Sequence, residues 1–246
     1  MNNPASAEGR PLTLALFALT VVTGLVDAVS FLGLGHVFTA NMTGNVVFLG
    51  FAIAGAPGLS IARSLTSLIA FLFGACLGGR LGAAMAATNR RRWLLTAGGA
   101  EAALLFAAAL ASVGFDIGSA SPARSLYAVI ILTAVAMGLR NATVRRLAVP
   151  DLTTTVLTLT LTGLAADSSL AGGNSPRVGR RVASVLLMFA GAAIGALLLR
   201  RGLMLPLGLS AVCALAVTVV FIAAVPATAS SDAKVEKRPV GEGRVL

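Results

Sequence analysis

The stretch GLVDAVSFLGLGHVFTANMTGN, residues 24–45, holds two polar motifs in an apolar setting, and both recur in the second half of the chain. Three motif pairs match in the same order: GLVDA at 24–28 with GLRNA at 138–142, TANMTGN at 39–45 with TTVLTLT at 154–160, and GACLG at 74–78 with GAAIG at 191–195. Their offsets of 114, 115 and 117 residues leave room for small insertions only. The pattern predicts an internal repeat, and duplicated polar residues in a membrane chain predict a site where the two copies meet.

Composition indicates a membrane protein. Of the 246 residues, 57% are hydrophobic and 11% are charged, whereas soluble domains carry about 25% charged residues. The apolar runs are long enough to cross about 30 Å of hydrocarbon, so we expect an all-α integral membrane protein, a polytopic helical bundle in a lipid bilayer. The basic residues behind the net charge of +10 lie between apolar segments, where they set orientation. We therefore expect no nucleic-acid partner.

Six segments are long enough to span the bilayer. They cover residues 12–35, 64–84, 93–114, 125–144, 182–199 and 203–225. Two further segments, 39–55 and 153–167, occupy matching places in the two halves and are too short or too polar for a comfortable span. The predicted organisation is a cytoplasmic N-terminal tail at 1–11, a first transmembrane repeat at 12–116, a second at 117–225 and a disordered polar tail at 226–246.

Loop charges favour six spans over eight. If both short segments cross the membrane, the basic residues divide almost evenly between its two sides. If both enter and return, the side opposite the RRR cluster at 90–92 keeps only Arg63, Arg124, Arg200 and Arg201, as the positive-inside bias prefers. Three spans per half is an odd number, so the second copy is inverted relative to the first, with a short re-entrant segment or half-helix in each.

Asp27 is the first candidate for a functional residue. It lies well inside the first apolar segment, where a carboxylate costs a few kcal/mol and requires a partner, water or a proton. Gly24 shares its helix face and lets a ligand or another backbone approach. The residue is interpreted either as a coupling-ion or proton site, or as one half of a buried structural pair.

Arg140 and Asn141 take the equivalent place in the second half, where Asn141 aligns with Asp27. Pseudo-symmetry brings Asp27 and Arg140 together near the centre, and the guanidinium fork suits a carboxylate or phosphate. The alternative is that Arg140 extends to the cytoplasmic interface beside Arg145 and Arg146.

The two short segments supply the rest of the candidate substrate- or ion-binding set. Its members are Asn41, Thr43, Gly44 and Asn45 from the first segment and Thr154 and Thr158 from the second. Broken backbone followed by a half-helix presents N–H groups and a positive dipole end to a ligand, and Gly44 permits tight backbone geometry. The alternative is that these side chains join helices by hydrogen bonds.

Other polar residues rank lower as site candidates. Glu101, Asp151 and Asp167 have no matching acid in the other half. The Gly-xxx-Gly steps predict close helix packing, either between the two halves or between two copies in a homo-oligomer. No Walker loop, HExxH motif or GxSxG elbow is present, so we expect no enzyme, cofactor or metal site.

The segments GLVDAVSFLGLGHVFTANMTGNVVFLG at 24–50 and GLRNATVRRLAVPDLTTT at 138–155 resemble the signature of the YoaK-like family of bacterial inner-membrane proteins. The resemblance covers roughly residues 10–225. The chain departs from the pattern at 157–159, where Leu-Thr-Leu stands in place of the expected Thr-Gly pair. The resemblance implies a multi-pass protein of the bacterial cytoplasmic membrane with a domain of unknown function, and it implies no substrate or site residue.

The sequence therefore predicts a small secondary transporter or permease-like protein of unknown substrate, with a polar site at the repeat interface. A small solute or ion is its expected partner. The alternative function is a non-transporting membrane scaffold or partner subunit whose polar motifs pack helices.

Overall fold

The computed structural model describes residues 4–147, 157–174 and 177–224. Over these ranges the eight α-helices are α1 Pro4–Ala28, α2 Met42–Ile53, α3 Ile61–Met85, α4 Arg90–Ala111, α5 Ala123–Leu147, α6 Leu157–Ala166, α7 Val178–Leu199 and α8 Met204–Ala224. A π-helical turn, Val29–Gly33, continues α1, and a 3-10 turn, Ser169–Ala171, follows α6. Polar side chains at Asn41, Ser60 and Asn89 cap the starts of α2, α3 and α4 by accepting a backbone N–H of the first turn.

In the described part of the chain, six helices are long and apolar enough to cross a membrane. They are α1 with its π turn, α3, α4, α5, α7 and α8. The other two, α2 and α6, have 12 and 10 residues, which is about 18 and 15 Å at a rise of 1.5 Å per residue and roughly half of the hydrocarbon thickness. The prediction of six spans with two short helices is confirmed, and the chain is a multi-pass helical membrane protein.

Contacts between α1 and α5 fix the relative direction of these two helices. Arg140 of α5 donates to the Leu19 carbonyl and the Thr23 hydroxyl of α1. Nearer the start of α1 and the end of α5, Leu16 packs with Val144. Residue numbers therefore rise on α1 as they fall on α5, so the first helices of the two halves are antiparallel.

Two glycines on α1 and α5 bring neighbouring helices into backbone contact. A Cβ at Gly24 would clash with the Met188 carbonyl of α7, and a Cβ at Gly138 would clash with the Phe71 carbonyl of α3. Gly24 and Gly138 are 114 residues apart, which is the offset of their motif pair. Their contact residues Met188 and Phe71 are 117 residues apart, within three residues of the same offset. The contact of α1 with α7 therefore has an equivalent in the contact of α5 with α3.

The Gly-xxx-Gly steps complete these same two contacts. Gly191 of α7 lies against the Val21 backbone of α1, and Gly74 of α3 lies against the Val135 backbone of α5. Close packing by these glycines thus occurs inside one chain. The faces that the sequence offered for a homo-oligomer are occupied by helices of the same molecule.

The helix directions place the two short helices on opposite sides of the molecule. Since α3 runs parallel to α5 along their glycine contacts, it is antiparallel to α1, and the connection 34–60 leaves and returns on one side. By the same reasoning the connection between α5 and α7 leaves and returns on the other side. Residues 148–156 and 175–176 of that second connection lie outside the described residues.

The chain ends differ from the predicted boundaries in one respect. Helix α1 begins at Pro4, inside the segment predicted to be a polar tail, and its membrane-spanning part begins at Pro11. Pro4 stands in the first turn of α1, where proline is tolerated because the N–H that it lacks would have no partner in the helix. The predicted tail at 226–246 lies outside the described residues.

Candidate functional site

Asn45 fixes the loop that leads from the π turn into α2. Its fully buried side chain accepts the Phe38 N–H at 2.9 Å and donates to the Phe38 carbonyl at 2.5 Å. It also donates to the Ser67 hydroxyl of α3 at 3.1 Å, and that hydroxyl donates to the same carbonyl at 2.6 Å. These bonds satisfy backbone groups that a loop inside the protein would otherwise leave unpaired. We call this connection, residues 34–41, the re-entrant loop, and the bonds of Asn45 hold it in place.

Helix α2 begins directly after a residue that is buried in the bundle. Its N-cap Asn41 accepts the Gly44 N–H at 3.4 Å. The preceding Ala40 is buried in an apolar cluster with Val26 of α1 and Met137 of α5. The N-terminal N–H groups of α2 and the positive end of its dipole therefore lie beside this buried cluster, while the side chains of Asn41 and Thr43 are exposed.

Helix α6, described from Leu157 onward, has its first turn beside α7. Thr158 in its first turn lines a cavity that Met188, near the middle of α7, also lines. The other end of α6 is tied to the start of α7, where Arg181 donates to the Gly163 carbonyl at 2.6 Å and to Asp167 at 2.7 Å. Helix α6 thus runs from the interior toward the beginning of α7, with its N-terminus inward.

The inner ends of α2 and α6 meet at one cavity of about 560 Å³, which we call the central cavity. The polar side chains that line it are those of Thr23, Asp27, Asn41, Thr43 and Thr158, and Gly44 lies beside them. Its apolar lining includes Val47, Phe48, Leu157 and Met188. The fold therefore brings together residues that lie far apart in the sequence, from both halves of the chain.

Among the described residues that line the central cavity, Asp27 is the one with an ionisable side chain. Its Oδ1 atom is buried and has no hydrogen-bond partner in the described part of the chain. The Ala40 N–H approaches the carboxylate, and the π turn that begins two residues later is a feature frequent at functional sites. A buried carboxylate normally has a cation or a full set of donors, so Asp27 Oδ1 is a candidate acceptor for a proton or a ligand.

Arg140 is bonded away from Asp27. It is 2% exposed; its Nε donates to Glu101 Oε1 at 2.7 Å, and Nη2 pairs with the same oxygen. Its Nη1 donates to the Leu19 carbonyl at 3.1 Å and to the Thr23 hydroxyl at 3.0 Å. The guanidinium does not extend to the interface, because an acid on α4 compensates its charge inside the bundle. It lies near enough to Asp27 to interact with it electrostatically, as the predicted proximity requires, but its own hydrogen bonds go to Glu101, Leu19 and Thr23.

A second cavity of about 770 Å³, the basic cavity, adjoins the central cavity. Asn41 and Thr43 line both cavities. Asn141 also lines the basic cavity, together with Arg145 and Arg146 from the last turn of α5. No acidic residue lines it among the residues that the structure describes. Asn141, the counterpart of Asp27, thus contributes to the adjoining cavity.

The predicted site residues fall into four groups. Asp27, Asn41, Thr43, Gly44 and Thr158 line the central cavity, Asn141 lines the basic cavity, Asn45 and Arg140 bond internally, and Thr154 lies outside the described residues. Thr23 was not named as a candidate from the sequence, and Glu101 was not identified as the partner of Arg140. A buried arginine in an apolar helix requires an acidic partner, and this requirement was the available signal for Glu101.

The central cavity offers hydrogen-bond donors and a single acid, and it offers no metal-binding cluster. Within the described ranges, no group of three or more His, Cys, Asp or Glu side chains is arranged to hold a metal ion. The lining combines hydroxyl, amide and helix-terminal N–H groups with one carboxylate. Such a surface suits reversible binding of a small polar or charged ligand.

Comparison with known proteins gives the family. The family model described as "Protein of unknown function (DUF1275)" matches residues 15–220. The chain belongs to this family. It is also similar to the UPF0700 transmembrane protein YoaK of Bacillus subtilis (strain 168), with 35% identity over 164 residues, which cover 67% of this chain and 69% of that protein. No solved structure matches the chain. Membership of the DUF1275 family confirms the resemblance found in the two motif-bearing segments.

Proposed function

We propose that the protein is a small secondary transporter or permease of the bacterial cytoplasmic membrane, and that its substrate binds in the central cavity. One observation carries the proposal. Asp27, whose buried Oδ1 has no hydrogen-bond partner among the described residues, lines a cavity at which the first residues of α2 and α6 also lie. Discontinuous helices that end at a polar site near the bilayer midplane are typical of secondary transporters.

The two halves of the chain form an inverted repeat in this proposal. The antiparallel arrangement of α1 and α5 supports it, and so do the equivalent glycine contacts of α1 with α7 and of α5 with α3. Transporters built in this way move one bundle against the other around a fixed site. We propose no enzymatic activity, because the polar residues of the central cavity include no recognisable nucleophile and base pair.

A non-transporting scaffold is the second candidate function. The internal bonds of Asn45 and the packing of the glycine steps favour it, because those polar motifs join helices. Helix packing does not account for Asp27, whose Oδ1 bonds to nothing in the described part of the chain. The two candidates therefore differ in what they require of Asp27.

The test is solute uptake into proteoliposomes that contain the purified full-length protein and a proton or sodium gradient. We expect the wild-type protein to accumulate at least one solute from a panel of small anions, cations, zwitterions and neutral molecules. Asp27→Asn abolishes accumulation driven by the gradient while the protein keeps its helical content and monodispersity in detergent.

Asp116→Asn is the matched control. Asp116 lies in the connection between α4 and α5, where the Ser119 hydroxyl and the N–H groups of Gly118 and Ser119 hold the pKa of its carboxyl below the usual range. The control removes one ionised acid outside the spans and leaves uptake unchanged. Absence of uptake for every solute in the panel, or a loss of stability as the sole effect of Asp27→Asn, supports the scaffold instead.

A further inference from the structure

We propose that the ligand of the central cavity is a small monovalent anion that binds together with a proton on Asp27. The inference rests on the proposed transport function and specifies its substrate class and coupling ion. It follows from the sum of the charges around the cavity, from the lining of the adjoining basic cavity and from the unpartnered carboxylate oxygen.

The helix ends supply positive potential to the central cavity. An α-helix N-terminus is equivalent to roughly half an elementary charge, so the inner ends of α2 and α6 together offer about one. An ionised Asp27 cancels this potential, whereas a protonated Asp27 leaves it for an anion. The cavity is therefore electrically balanced either when empty with Asp27 ionised or when it holds one proton and one monoanion.

The basic cavity provides the approach for an anion. Arg145 and Arg146 are exposed and line it, and no acid lines it among the described residues. A cleft lined by one sign of charge concentrates ions of the opposite sign. Asn41 and Thr43, which line both cavities, then offer amide and hydroxyl donors to an anion that passes between them. The same charges oppose a cation.

The helices packed around Asp27 contribute one other ionised pair near the site. Arg140 of α5 interacts electrostatically with Asp27, and Glu101 of α4 forms an ion pair with Arg140. Among the described residues, α2, α6, α7 and α8 place no charged side chain in the lining of the central cavity. Proton binding at Asp27 is therefore the event that changes the charge of the cavity.

The first experiment measures proton movement driven by an anion gradient. Wild-type protein is reconstituted in vesicles that contain the pH-sensitive dye pyranine, and inward gradients of nitrate, chloride or lactate are applied. Nitrate and chloride are the decisive probes, because their conjugate acids are too strong to carry protons across protein-free vesicles. We expect at least one of these anions to acidify the vesicle interior well above the protein-free rate.

Asp27→Asn separates the two parts of the proposal. Asparagine has the neutral charge of a protonated aspartate, so we expect downhill anion exchange to remain while anion-driven acidification is lost. Size-exclusion chromatography of the variant verifies that it is folded. Acidification that persists in a folded Asp27→Asn variant overturns the assignment of the proton to this residue.

A pair of surface variants tests the basic cavity without touching the buried site. Arg145→Gln combined with Arg146→Gln should raise the half-saturating anion concentration about three- to ten-fold, as expected for the loss of two charges several ångströms from the ligand path. Arg91→Gln combined with Arg92→Gln is the matched control, because these exposed arginines begin α4 on the same side and line neither cavity. An equal effect of both double variants overturns the role of the basic cavity.

The same vesicles distinguish failure of this inference from failure of the proposed function. Uptake of potassium, methylammonium or urea without flux of any tested anion overturns the inference and leaves the transport function standing. Absence of flux for every solute refutes the transport function itself.

Discussion

Removing the acid from the buried Arg140–Glu101 pair should destabilise the protein severely. Both residues are buried, with 2% and 4% exposure, and they join α5 to α4 across the centre of the bundle. Glu101→Gln keeps the shape of the side chain and deletes its charge. Arg140 then remains ionised in an apolar interior, with hydrogen bonds to Leu19 and Thr23 but no counter-charge.

The expected loss follows from charge rather than from the number of hydrogen bonds. Breaking a buried ion pair by removing one partner costs about 3–5 kcal/mol, whereas single hydrogen bonds between membrane helices average about 0.6 kcal/mol. We therefore expect Glu101→Gln and Arg140→Gln each to lower the free energy of unfolding by about 3–5 kcal/mol. The double variant should lose less than the sum, because two facing amides leave no charge uncompensated, and the coupling energy should reach about 2–3 kcal/mol.

Trp93 provides the assay. It is the one tryptophan of the chain, and it is 2% exposed on α4, the helix that carries Glu101. Its fluorescence during titration of detergent-solubilised protein with sodium dodecyl sulfate reports the unfolding of that helix. Arg91→Gln, which changes an exposed side chain in the first turn of the same helix, serves as the control and should shift the free energy by less than about 0.5 kcal/mol. Single variants that lose under about 1 kcal/mol, or losses that add without coupling, would refute the reasoning.

Two further variants test the helix contacts and the re-entrant loop in the same unfolding assay. Gly138→Ala places a Cβ against the Phe71 carbonyl and should lower the free energy of unfolding by about 1–3 kcal/mol through overpacking. Gly79→Ala is the control, because its Cβ would meet nothing within 4 Å, and it should be neutral or slightly stabilising. Equal effects of the two variants would contradict the close contact at Gly138. Asn45→Ala leaves the Phe38 N–H without its side-chain partner, while the Phe38 carbonyl keeps the Ser67 hydroxyl. The variant should cost about 1–3 kcal/mol, and a neutral result would show that the loop does not depend on the Asn45 bonds.

Span number and the short helices were predictable from the sequence because they depend on length and hydrophobicity. A chain segment must be apolar over about 20 residues to cross a bilayer, and the 39–55 segment is interrupted by the polar run that ends at Asn45. The same physics placed Asp27, Asn41 and Thr43 inside or beside apolar segments. Their gathering in one cavity then required only that α1 and the re-entrant loop lie together, which the short connection between them enforces.

The sequence indicates that a buried arginine requires an acidic partner, but it does not identify which acid that is. Glu101 and Arg140 sit on helices joined by a long connection, and nothing in their local patterns shows that these two faces meet. Asn45 resembles Asn41 in its sequence setting, yet one side chain bonds the preceding loop and the other caps α2. The difference depends on where the backbone at Phe38 passes. That position is set by the packing of the whole bundle.

The differences between the two halves decide what the central cavity does. Val26, the residue aligned with Arg140, packs in an apolar cluster with Ala211 and Ala214 of α8, so the buried ion pair occurs on one side only. Asp27 likewise has no acidic counterpart, because Asn141 takes its place. Two identical halves would offer a ligand the same charge from either direction. In this chain the half-helices supply a matched pair of positive ends, and the substitutions beside them place a titratable acid in one cavity and arginines in the other. Under the proposed transport function, a proton and an anion would meet different surroundings in the two adjoining cavities, which is the asymmetry that coupled movement requires.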